Sequence, residues 1–414
     1  MSKISGKQLP TSLNLPTIAP AFNWDFANGN FLNPRIAFSR NSAVASHFNE
    51  LGVLKSDSAN ISRFEYVQNA SKGLLIEAAA TNLLLYSDDF SNAYYLKTNA
   101  TISANAILSP SGALIADKLI ETAVSGQHYV SKAIALSGQK TIVLSVFAKK
   151  AERAFVHLNG YDGTVGYESY FNLNDGTVTA TTSGVIASIV ALNDEWFKCT
   201  TKFTTGAAMT SLSSYVRLGN VAGAAGWSYL GDGTSGCYIF GLEAKETNQS
   251  SYIPTTSAAV TRALDLATVT GANFDYWRTD EYSFLVAFTG NSVGTCCITE
   301  FHDGTANERI YLESNSGALT LKIVDGGVEQ CSLSLGTVVT GTEYRVAVAI
   351  KLNDIAASIN GAACVTDTSA TLPTITAHNL GSNYAGANQM NGTLSLMRGY
   401  AERLPNSQLE TLTL

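Results

Sequence analysis

The stretch Trp196–Phe203 reads WFKCTTKF. Alternate residues of an extended chain point to opposite sides, so Cys199 and Phe203 share one face and the two lysines share the other. A period of two with one apolar face predicts a β-strand buried on one side. A second stretch, RVAVAIKL, repeats this pattern near the C-terminus. Its predicted apolar face comprises Val346, Val348, Ile350 and Leu352.

The same alternation recurs along the chain, and long helical periodicity is absent. Pairs that tolerate the positive φ of tight hairpin turns occur at Asp175-Gly176, Asp325-Gly326 and Asn360-Gly361. Strands that reverse through short turns form antiparallel sheets, and a sheet with one apolar face packs against a second sheet. The sequence therefore predicts an all-β protein built from antiparallel β-sandwiches.

Length and composition indicate several domains with an unusually uncharged surface. The chain has 414 residues, whereas one hydrophobic core rarely serves more than about 250–300 residues. Hydrophobic residues make up 45% and charged residues only 14%. A surface of Ser, Thr, Asn and Gly carries little repulsive charge and suits burial between identical copies. We therefore expect a homo-oligomer.

The charge balance argues against nucleic acid as a partner. The net charge is −7, and basic pairs such as Lys149-Lys150 are isolated, whereas neutralising phosphates requires clustered Lys and Arg. Met1–Pro20 contains no apolar run of signal-peptide length, and no run of about 18 apolar residues occurs anywhere. We expect synthesis in the cytoplasm and no membrane insertion.

Strand patterning divides the chain into three predicted segments. Residues 1–85 are rich in turn formers and are expected to form an N-terminal arm or docking region, and deleting residues 1–80 is expected to leave two folded sandwiches. Residues 86–261 hold enough β segments for one jelly-roll sandwich, which ends in a linker at Thr255–Thr261. Residues 262–414 are predicted to form a second sandwich, with a helical tail at Asn406–Leu412 that packs on the sheet through its leucines.

Cysteine and histidine spacing gives no metal or redox site. The six cysteines show no C-x-x-C spacing and are expected to be buried, reduced thiols. The five histidines lie far apart, without H-x-H or H-E-x-x-H spacing. No glycine-rich phosphate loop follows a strand and opens a helix. We therefore expect no metal and no cofactor.

Two strings match parts of catalytic patterns. Gly290–Gly294 reads GNSVG and matches the nucleophile elbow, yet a β segment follows where that motif requires a helix. Glu300 and Asp303 are three residues apart, so in a strand they point to opposite faces, which does not suit a pair of glycosidase carboxylates. The sequence thus predicts a protein that is not an enzyme.

Aromatic residues near glycine-rich stretches are candidates for glycan contact. Flat rings stack on the C–H faces of sugars while nearby Asn and Asp bond to hydroxyls. The alternative is that these tyrosines fill the core or a contact between subunits. The candidate glycan-binding residues are Tyr161, Asp162, Tyr167, Tyr170, Trp227 and Tyr229 in the first sandwich, and Asp303, Arg309 and Tyr384 in the second.

Short strings in a fixed order give the chain a resemblance to bacteriophage head-spike and tail-fibre proteins. Near the N-terminus the strings are NPRIAFSR at Asn33–Arg40, GLLIE at Gly73–Glu77 and TNLLLYS at Thr81–Ser87. They are followed by YLGDGT at Tyr229–Thr234 and SYIPT at Ser251–Thr255. The resemblance covers nearly the whole chain.

Each predicted sandwich has its own resemblance. The first is similar to jelly-roll carbohydrate-binding modules. The second, with Asp303-Gly304, Arg309-Ile310 and Arg398–Tyr400, resembles the concanavalin A-like lectin and glucanase sandwich. Jelly-roll modules of this kind often hold calcium through a carboxylate near the first strand and another in the last. Asp88 and Asp89 suit the first role, but Gly241 precedes Glu243 in the last strand, so no calcium site is predicted.

The resemblance implies a structural and adhesive subunit of a virion fibre or spike. Such a subunit lies on the virion surface, joins phage capsid or tail proteins through residues 1–85, and contacts polysaccharide on the host cell. It also implies a homotrimer. Two alternatives stay open, namely a polysaccharide-degrading tailspike and a purely structural capsid decoration protein.

Overall fold

The computed structural model describes residues 14–29, 31–246, 250–290 and 294–414. Strands make up 52% of the chain and helices 4%, which confirms the prediction of an all-β protein. The chain divides into two compact units. The discontinuous unit combines the chain up to Ala37 with Leu266–Leu414, and the inserted unit is Phe38–Asp265.

The strands follow one another in chain order. The first are β1 (Phe22–Asp25), β2 (Ala37–Ser39), β3 (Ser46–Phe48), β4 (Leu54–Ser56), β5 (Arg63–Val67), β6 (Ala70–Ile76), β7 (Ala80–Asn82) and β8 (Leu96–Thr98). Next come β9 (Ala100–Leu108), β10 (Leu114–Glu121), β11 (Ser125–Gly126), β12 (Tyr129–Ala135), β13 (Thr141–Lys150), β14 (Phe155–Tyr161), β15 (Gly166–Asn172), β16 (Thr177–Thr181) and β17 (Ile186–Ala191).

The second half continues in the same way. Its first strands are β18 (Trp196–Thr204), β19 (Ser211–Gly219), β20 (Tyr229–Leu230), β21 (Gly236–Glu246), β22 (Val260–Arg262), β23 (Leu266–Thr270), β24 (Glu281–Thr289) and β25 (Thr295–His302). The last are β26 (Arg309–Asn315), β27 (Ala318–Asp325), β28 (Val328–Thr337), β29 (Glu343–Lys351), β30 (Ile355–Ile359), β31 (Val365–Asp367), β32 (Ala377–Leu380) and β33 (Gly392–Tyr400). The helix α1 is Asn406–Leu412, and short 3-10 turns span Asn193–Glu195, Ala224–Gly226 and Gly271–Phe274.

The inserted unit is a sandwich of two six-stranded antiparallel sheets. One has the strand order β17-β18-β13-β21-β10-β9, and the other β16-β15-β14-β19-β12-β8. Leu144 and Val146 of β13 share one core with Leu158 of β14 and Val216 of β19, and all four side chains are fully buried. Burying such a side chain contributes about 1.5–3 kcal/mol. The predicted first sandwich is therefore confirmed.

The discontinuous unit is also a sandwich. One sheet runs β31-β30-β29-β24-β33, and the other runs β23-β32-β25-β26-β27-β28. Leu409 and Leu412 of α1 pack with Ala347 and Ala349 of β29, which confirms the predicted helical tail. No helix in the described part of the chain is long and apolar enough to cross a membrane. All six cysteines are free, and all but Cys364 are buried, as predicted.

The N-terminal residues belong to the core of the discontinuous unit. Strand β1 pairs antiparallel with β33, with Phe22 opposite Gly399. The rings of Phe22 and Trp24 lie 4.5 Å and 5.6 Å from the ring of Tyr276. The division therefore differs from the predicted boundary at residue 85, because short strands have too few residues to show alternation. Because β1 pairs and packs within the discontinuous unit, we expect instead that removing residues 1–80 would disturb that unit.

Five charged side chains are buried together in the inserted unit. Arg63 bonds to Glu77 at 2.7 Å and to Asp265 at 2.6 Å. Arg40 lies 3.4 Å from Asp265, and Arg262 lies 3.3 Å from Glu77. A buried charge is tolerated only when it is paired, so these contacts hold distant parts of this unit together.

The predicted linker at Thr255–Thr261 is part of this same unit. Thr255 is 4% exposed, and its hydroxyl donates a 2.6 Å hydrogen bond to the carbonyl oxygen of Leu84. Strand β22 then pairs with β7. Small hydroxylated residues predicted a linker because they often occur in loops, but here Thr255 is buried and bonded, while Thr256, Ser257 and Thr261 are exposed.

Candidate functional site

Four side chains form a row across the outer face of the sheet β16-β15-β14-β19-β12-β8. Arg217 of β19 lies opposite Tyr129 of β12 and also opposite His157 of β14. His157 in turn lies opposite Tyr170 of β15. Residues directly opposite one another share a face, while the next residue, such as Val216, points into the core. This set is called the Arg217 row below.

Arg217 is surrounded by aromatic rings. Its guanidinium carbon lies 4.4 Å from the centre of the Tyr215 ring, 5.0 Å from Trp227 and 5.5 Å from Tyr129. The residue is 6% exposed, and burial lowers the pKa of its guanidinium. Arginine nevertheless stays protonated in proteins, and a desolvated cation gains about 2 kcal/mol from such rings. The rings therefore hold a permanent positive charge on the outer face.

His157 is packed between two further rings. Its imidazole stacks on Tyr170 at 4.2 Å and meets the edge of Trp227 at 5.7 Å. Burial, together with the positive charge of Arg217, lowers the pKa of His157 well below its usual value. The imidazole is therefore neutral near pH 7, and its Nδ1 lies 3.4 Å from Nη1 of Arg217.

Trp227 approaches the row from a loop. It follows the 3-10 turn Ala224–Gly226 and is partly exposed. Glycine is required at the end of that turn, because a Cβ on Gly226 would lie 2.2 Å from the carbonyl oxygen of Val221. Tyr161 ends β14 four residues after His157 and so shares its face, with 38% of the residue exposed. Trp227 thus presents ring surface beside the row, and Tyr161 presents ring surface about 13 Å further along β14.

Three predicted candidates are buried instead. Tyr167 is 9% exposed and belongs to the sandwich core. Tyr170 is 5% exposed, and its hydroxyl donates a 2.7 Å bond to Glu168. Tyr229 is 9% exposed, and its hydroxyl donates a 2.6 Å bond to Glu121. The expectation of an exposed platform at these three tyrosines is corrected, because alternation does not reveal how much of a face later loops cover.

Asp162 is occupied within its own turn. Its Oδ1 accepts hydrogen bonds from the backbone of Thr164 and Val165, and its Oδ2 accepts from Tyr167 and from the backbone of Gly206. Desolvation alone would raise its pKa, but these hydrogen bonds hold it well below the usual range. Asp162 therefore shapes the turn after β14 and presents no free oxygen to a ligand.

In the discontinuous unit, Arg309 and Tyr384 come together. The guanidinium carbon lies 4.9 Å from the centre of the Tyr384 ring and 4.0 Å from that of Tyr311. Nε and Nη2 of Arg309 donate to the two oxygens of Glu300 at 2.5 Å and 3.1 Å. Asp303 is bonded within its own turn. This second group therefore offers ring surface, while its positive charge is already neutralised.

The described residues of the two catalytic-like strings do not come together into a site. Glu300 is fully buried in β25, and Asp303 follows the end of that strand, so the two carboxylates belong to separate hydrogen-bond systems. The GNSVG string lies partly outside the described residues, at 291–293. Neither string is assigned a role from this geometry.

A cleft of about 430 Å³ lies elsewhere in the inserted unit, bordered by residues 51–53, 107–112 and 192–196. Nζ of Lys149 donates a 2.6 Å bond to the backbone carbonyl of Asp194 and lies 3.8 Å from Glu195. The lysine at the cleft is thus paired with Glu195, and Asp194 and Glu195 are both exposed. We place the candidate site at the Arg217 row, where a buried arginine has no carboxylate oxygen within 4.0 Å among the described residues.

The carboxylates considered for calcium are used by neighbouring groups. Asp88 accepts hydrogen bonds from Ser87 and Tyr252, and burial raises its pKa to about 6. Asp89 accepts a 3.1 Å bond from the backbone of Asn92. Among the described residues, no group of three or more His, Cys, Asp and Glu side chains is placed to hold a metal ion.

Sequence reasoning missed Tyr129, His157, Tyr215 and Arg217. A signal was present, since Tyr215 and Arg217 are two residues apart in a strand and must share a face. His157 and Tyr161 are four residues apart in β14, an even spacing that also places them on one face. Joining the two pairs into one site requires knowing that β14 and β19 are neighbours in the sheet. Strand order depends on long-range contacts, which local sequence patterns do not show.

No protein family and no curated protein matches the chain. Solved structures match it at low identity. A SAP-like pentraxin from Limulus polyphemus is 15% identical over 33% of this chain and 70% of its own, with a TM-score of 0.26. Domain 4 of AbnA, a GH43 arabinanase from Geobacillus stearothermophilus in complex with arabinotriose, is 17% identical over 41% and 83%, with a TM-score of 0.30. Trypanosoma rangeli sialidase is 11% identical over 72% and 60%, with a TM-score of 0.30.

These likenesses concern β-sandwich architecture and assign no ligand or activity to this chain. The resemblance to phage proteins has no counterpart among the three. Two of them are a sialidase and a domain of an arabinanase. The prediction that the chain is not an enzyme, which was drawn from incomplete catalytic patterns in the sequence, is corrected, since these two glycosidase structures are among those to which the chain is similar.

Proposed function

We propose that the chain binds glycans through the outer face that carries the Arg217 row, and that it does so as a structural and adhesive subunit of a phage fibre or spike. The observation that carries the proposal is the cluster of Tyr129, Tyr215 and Trp227 around Arg217. Rings and a cation fixed on a rigid sheet form a surface suited to sugars.

The chemistry of the face supports this proposal. A sugar ring stacks its C–H face on an aromatic ring, and Trp227 presents ring surface at the row while Tyr161 presents it further along β14 on the same face. Its hydroxyls need polar partners, and the buried Oδ1 of Asn159, a residue that is 3% exposed, has no hydrogen-bond partner among the described residues. Asn159 lies opposite Tyr215, next to the row. An unsatisfied acceptor therefore lies beneath the stacking surface.

The phage assignment is supported by the sequence strings and by the small charged fraction of 14%. We propose a homotrimer on the virion surface, attached to capsid or tail proteins through its N-terminal region. Three identical sites on one trimer that bind the same surface raise the overall affinity about 10²–10⁴-fold over that of a single site, without any change in the site itself. A capsid decoration protein without a ligand is the competing proposal.

Glycan binding is tested with the full chain on an array of bacterial surface polysaccharides. Trp227→Ala should weaken binding at least about tenfold, because a stacked ring is the kind of residue on which binding depends most. Phe31→Ala is the matched control, since Phe31 is 69% exposed and lies in the discontinuous unit. A silent array, or equal binding by Trp227→Ala and the wild type, would overturn the proposal. A reducing-sugar assay on each bound polysaccharide shows whether binding is accompanied by cleavage.

The phage role needs its own measurements. Light scattering should give the mass of three chains, and labelled protein should bind particles that lack it. A monomer that fails to bind particles would exclude the virion role and leave the glycan proposal standing. Particle binding together with a silent array would favour the decoration protein.

A further inference from the structure

Arg217 differs from the other deeply buried arginines of the inserted unit in having no carboxylate partner. Arg40, Arg63 and Arg262 each lie within 4.0 Å of Glu77 or Asp265. Among the described residues, no Asp or Glu oxygen comes within 4.0 Å of the Arg217 guanidinium. Its Nε has no hydrogen-bond partner either.

A buried and unpaired charge is costly, because removal from water is not offset by a counter-ion. The rings around Arg217 offset part of this cost, but they do not supply the lone-pair acceptors that its N–H groups need for ordinary hydrogen bonds. Glu168 lies on the same face, opposite Asn159, and its charge opposes the lowering of the Arg217 pKa, but its Oε2 already accepts the hydroxyl of Tyr170 at 2.7 Å. The inserted unit thus holds a buried positive charge without a direct contact to a carboxylate of the described residues.

His157 does not supply the negative charge that Arg217 lacks as a partner. Its imidazole is neutral, and Nδ1 is the atom that faces Nη1 of Arg217. Nδ1 therefore accepts, and the ring proton is on Nε2, which has no hydrogen-bond partner among the described residues. Two unused N–H groups, on Arg217 and His157, belong to one cluster.

We infer that the glycan bound by this face is acidic, and that a sugar carboxylate pairs with Arg217. This inference rests on the proposed function and names its substrate class. A guanidinium presents two parallel N–H groups that match the two oxygens of a carboxylate. Tyr215 and Trp227 exclude water around the pair, which strengthens it, and they offer stacking surface to the same sugar or its neighbour.

The test compares acidic polysaccharides with their own carboxyl-reduced forms, which differ only in having neutral sugars. Alginate, polygalacturonate and polysialic acid are the probes, measured by titration calorimetry with the full chain. At least one native polymer should bind about tenfold or more tightly than its reduced form. This preference should shrink as salt is raised, because charge pairs at a surface are screened.

Variants assign the preference to a residue. Arg217→Gln should bind the native and the reduced polymer equally. Arg217→Lys should keep only part of the preference, because an ammonium group lacks the two parallel N–H groups of a guanidinium. Lys72→Gln is the matched control, since it removes one exposed positive charge from the same unit and should leave the preference intact. Circular dichroism melting checks that each variant is folded.

The outcomes separate this inference from the proposed function. Equal binding of native and reduced polymers by the wild type, or binding to neutral glycans alone, overturns the acidic ligand and leaves glycan binding intact. No binding to any acidic or neutral glycan overturns both. A preference that survives in folded Arg217→Gln shows that another residue holds the carboxylate, and the inference fails.

Discussion

The ring of Tyr167 lies parallel to the ring of Phe203, with centres 4.4 Å apart and planes 9° from each other. The two residues come from β15 and β18, in the two facing sheets of the inserted unit. Phe203 fits there because β14 has Gly160, where a Cβ would lie 2.2 Å from the Phe203 ring. This stacked pair is a contact across the core.

Tyr167→Ala should therefore lower the free energy of unfolding by about 3–5 kcal/mol, the usual cost of removing a buried ring. Tyr167→Phe keeps the stack and loses only the hydroxyl bond to the Asp162 carboxylate, so it should cost less, about 1.5–3 kcal/mol. Urea unfolding of both variants measures the difference. Two equal and small losses would show that the ring contributes little to packing.

Removing the negative charge of Asp265 should destabilise the inserted unit strongly. Asp265→Asn leaves Arg40 and Arg63 with one partner fewer in a buried site, and breaking such a pair costs about 3–5 kcal/mol. Asp275→Asn is the control, because its pair with Arg35 is solvent-exposed and worth at most about 1 kcal/mol. Similar denaturation midpoints for the two variants would contradict a structural role for the buried cluster.

Glu65 should make stability fall as pH rises. Burial is the main cause that raises its pKa from 4.5 to about 8, with the nearby charge of Glu77 adding to the effect. The folded protein therefore binds a proton that the unfolded chain releases between these two values. The contribution of Glu65 is full below pH 4.5 and is lost as pH rises through about 8. Between these two pH values, the free energy of unfolding should fall by at most about 1.4 kcal/mol per pH unit on account of Glu65.

Melting curves of the wild type and Glu65→Gln between pH 4 and pH 9 measure the contribution of Glu65 to stability. The stability of the variant should not show this decrease with pH, since its amide never ionises, and the variant should be the more stable protein at the alkaline end. Parallel curves for the two proteins would show that the Glu65 carboxyl does not titrate in this range.

Trp24 should be needed for the discontinuous unit. The side chain is 4% exposed, and its ring stacks on Phe22 at 4.1 Å. Trp24→Ala should cost about 3–5 kcal/mol. Deleting residues 1–37 should go further and expose β33 along the side that β1 covers, giving aggregation or protease sensitivity. A truncated chain that melts like the full chain would restore the view of this segment as an independent arm.

Much of the fold was predictable from local pattern. Asn360-Gly361 joins β30 to β31 in a hairpin, with both residues at positive φ, as the sequence indicated. Cys199 and Phe203 of β18 are buried as expected. Leu352 was assigned to the buried face of its strand, but β29 ends one residue earlier and Leu352 is 58% exposed. The end of a strand depends on its partners, and alternation does not report it.

The site was less predictable because it depends on neighbours across the sheet. Tyr167 and Tyr161 have similar surroundings in sequence, yet one lies in the core and the other on the surface. Arg217 is a lone basic residue in its strand, and it gains interest only because Tyr129 and His157 stand opposite. Nor does a short stretch of sequence reveal that, among the described residues, no carboxylate oxygen lies within 4.0 Å of its guanidinium.

The pairing of β1 with β33 also sets an order of events on the ribosome. Phe22–Asp25 emerges early, whereas its partner Gly392–Tyr400 emerges near the end, after the whole inserted unit. At about 5–20 residues per second, the first strand waits some tens of seconds for its place in the sheet. The inserted unit is complete in the meantime and is free to fold first. Premature termination before Gly392 would therefore release a chain with one finished sandwich and an apolar strand that has lost its partner.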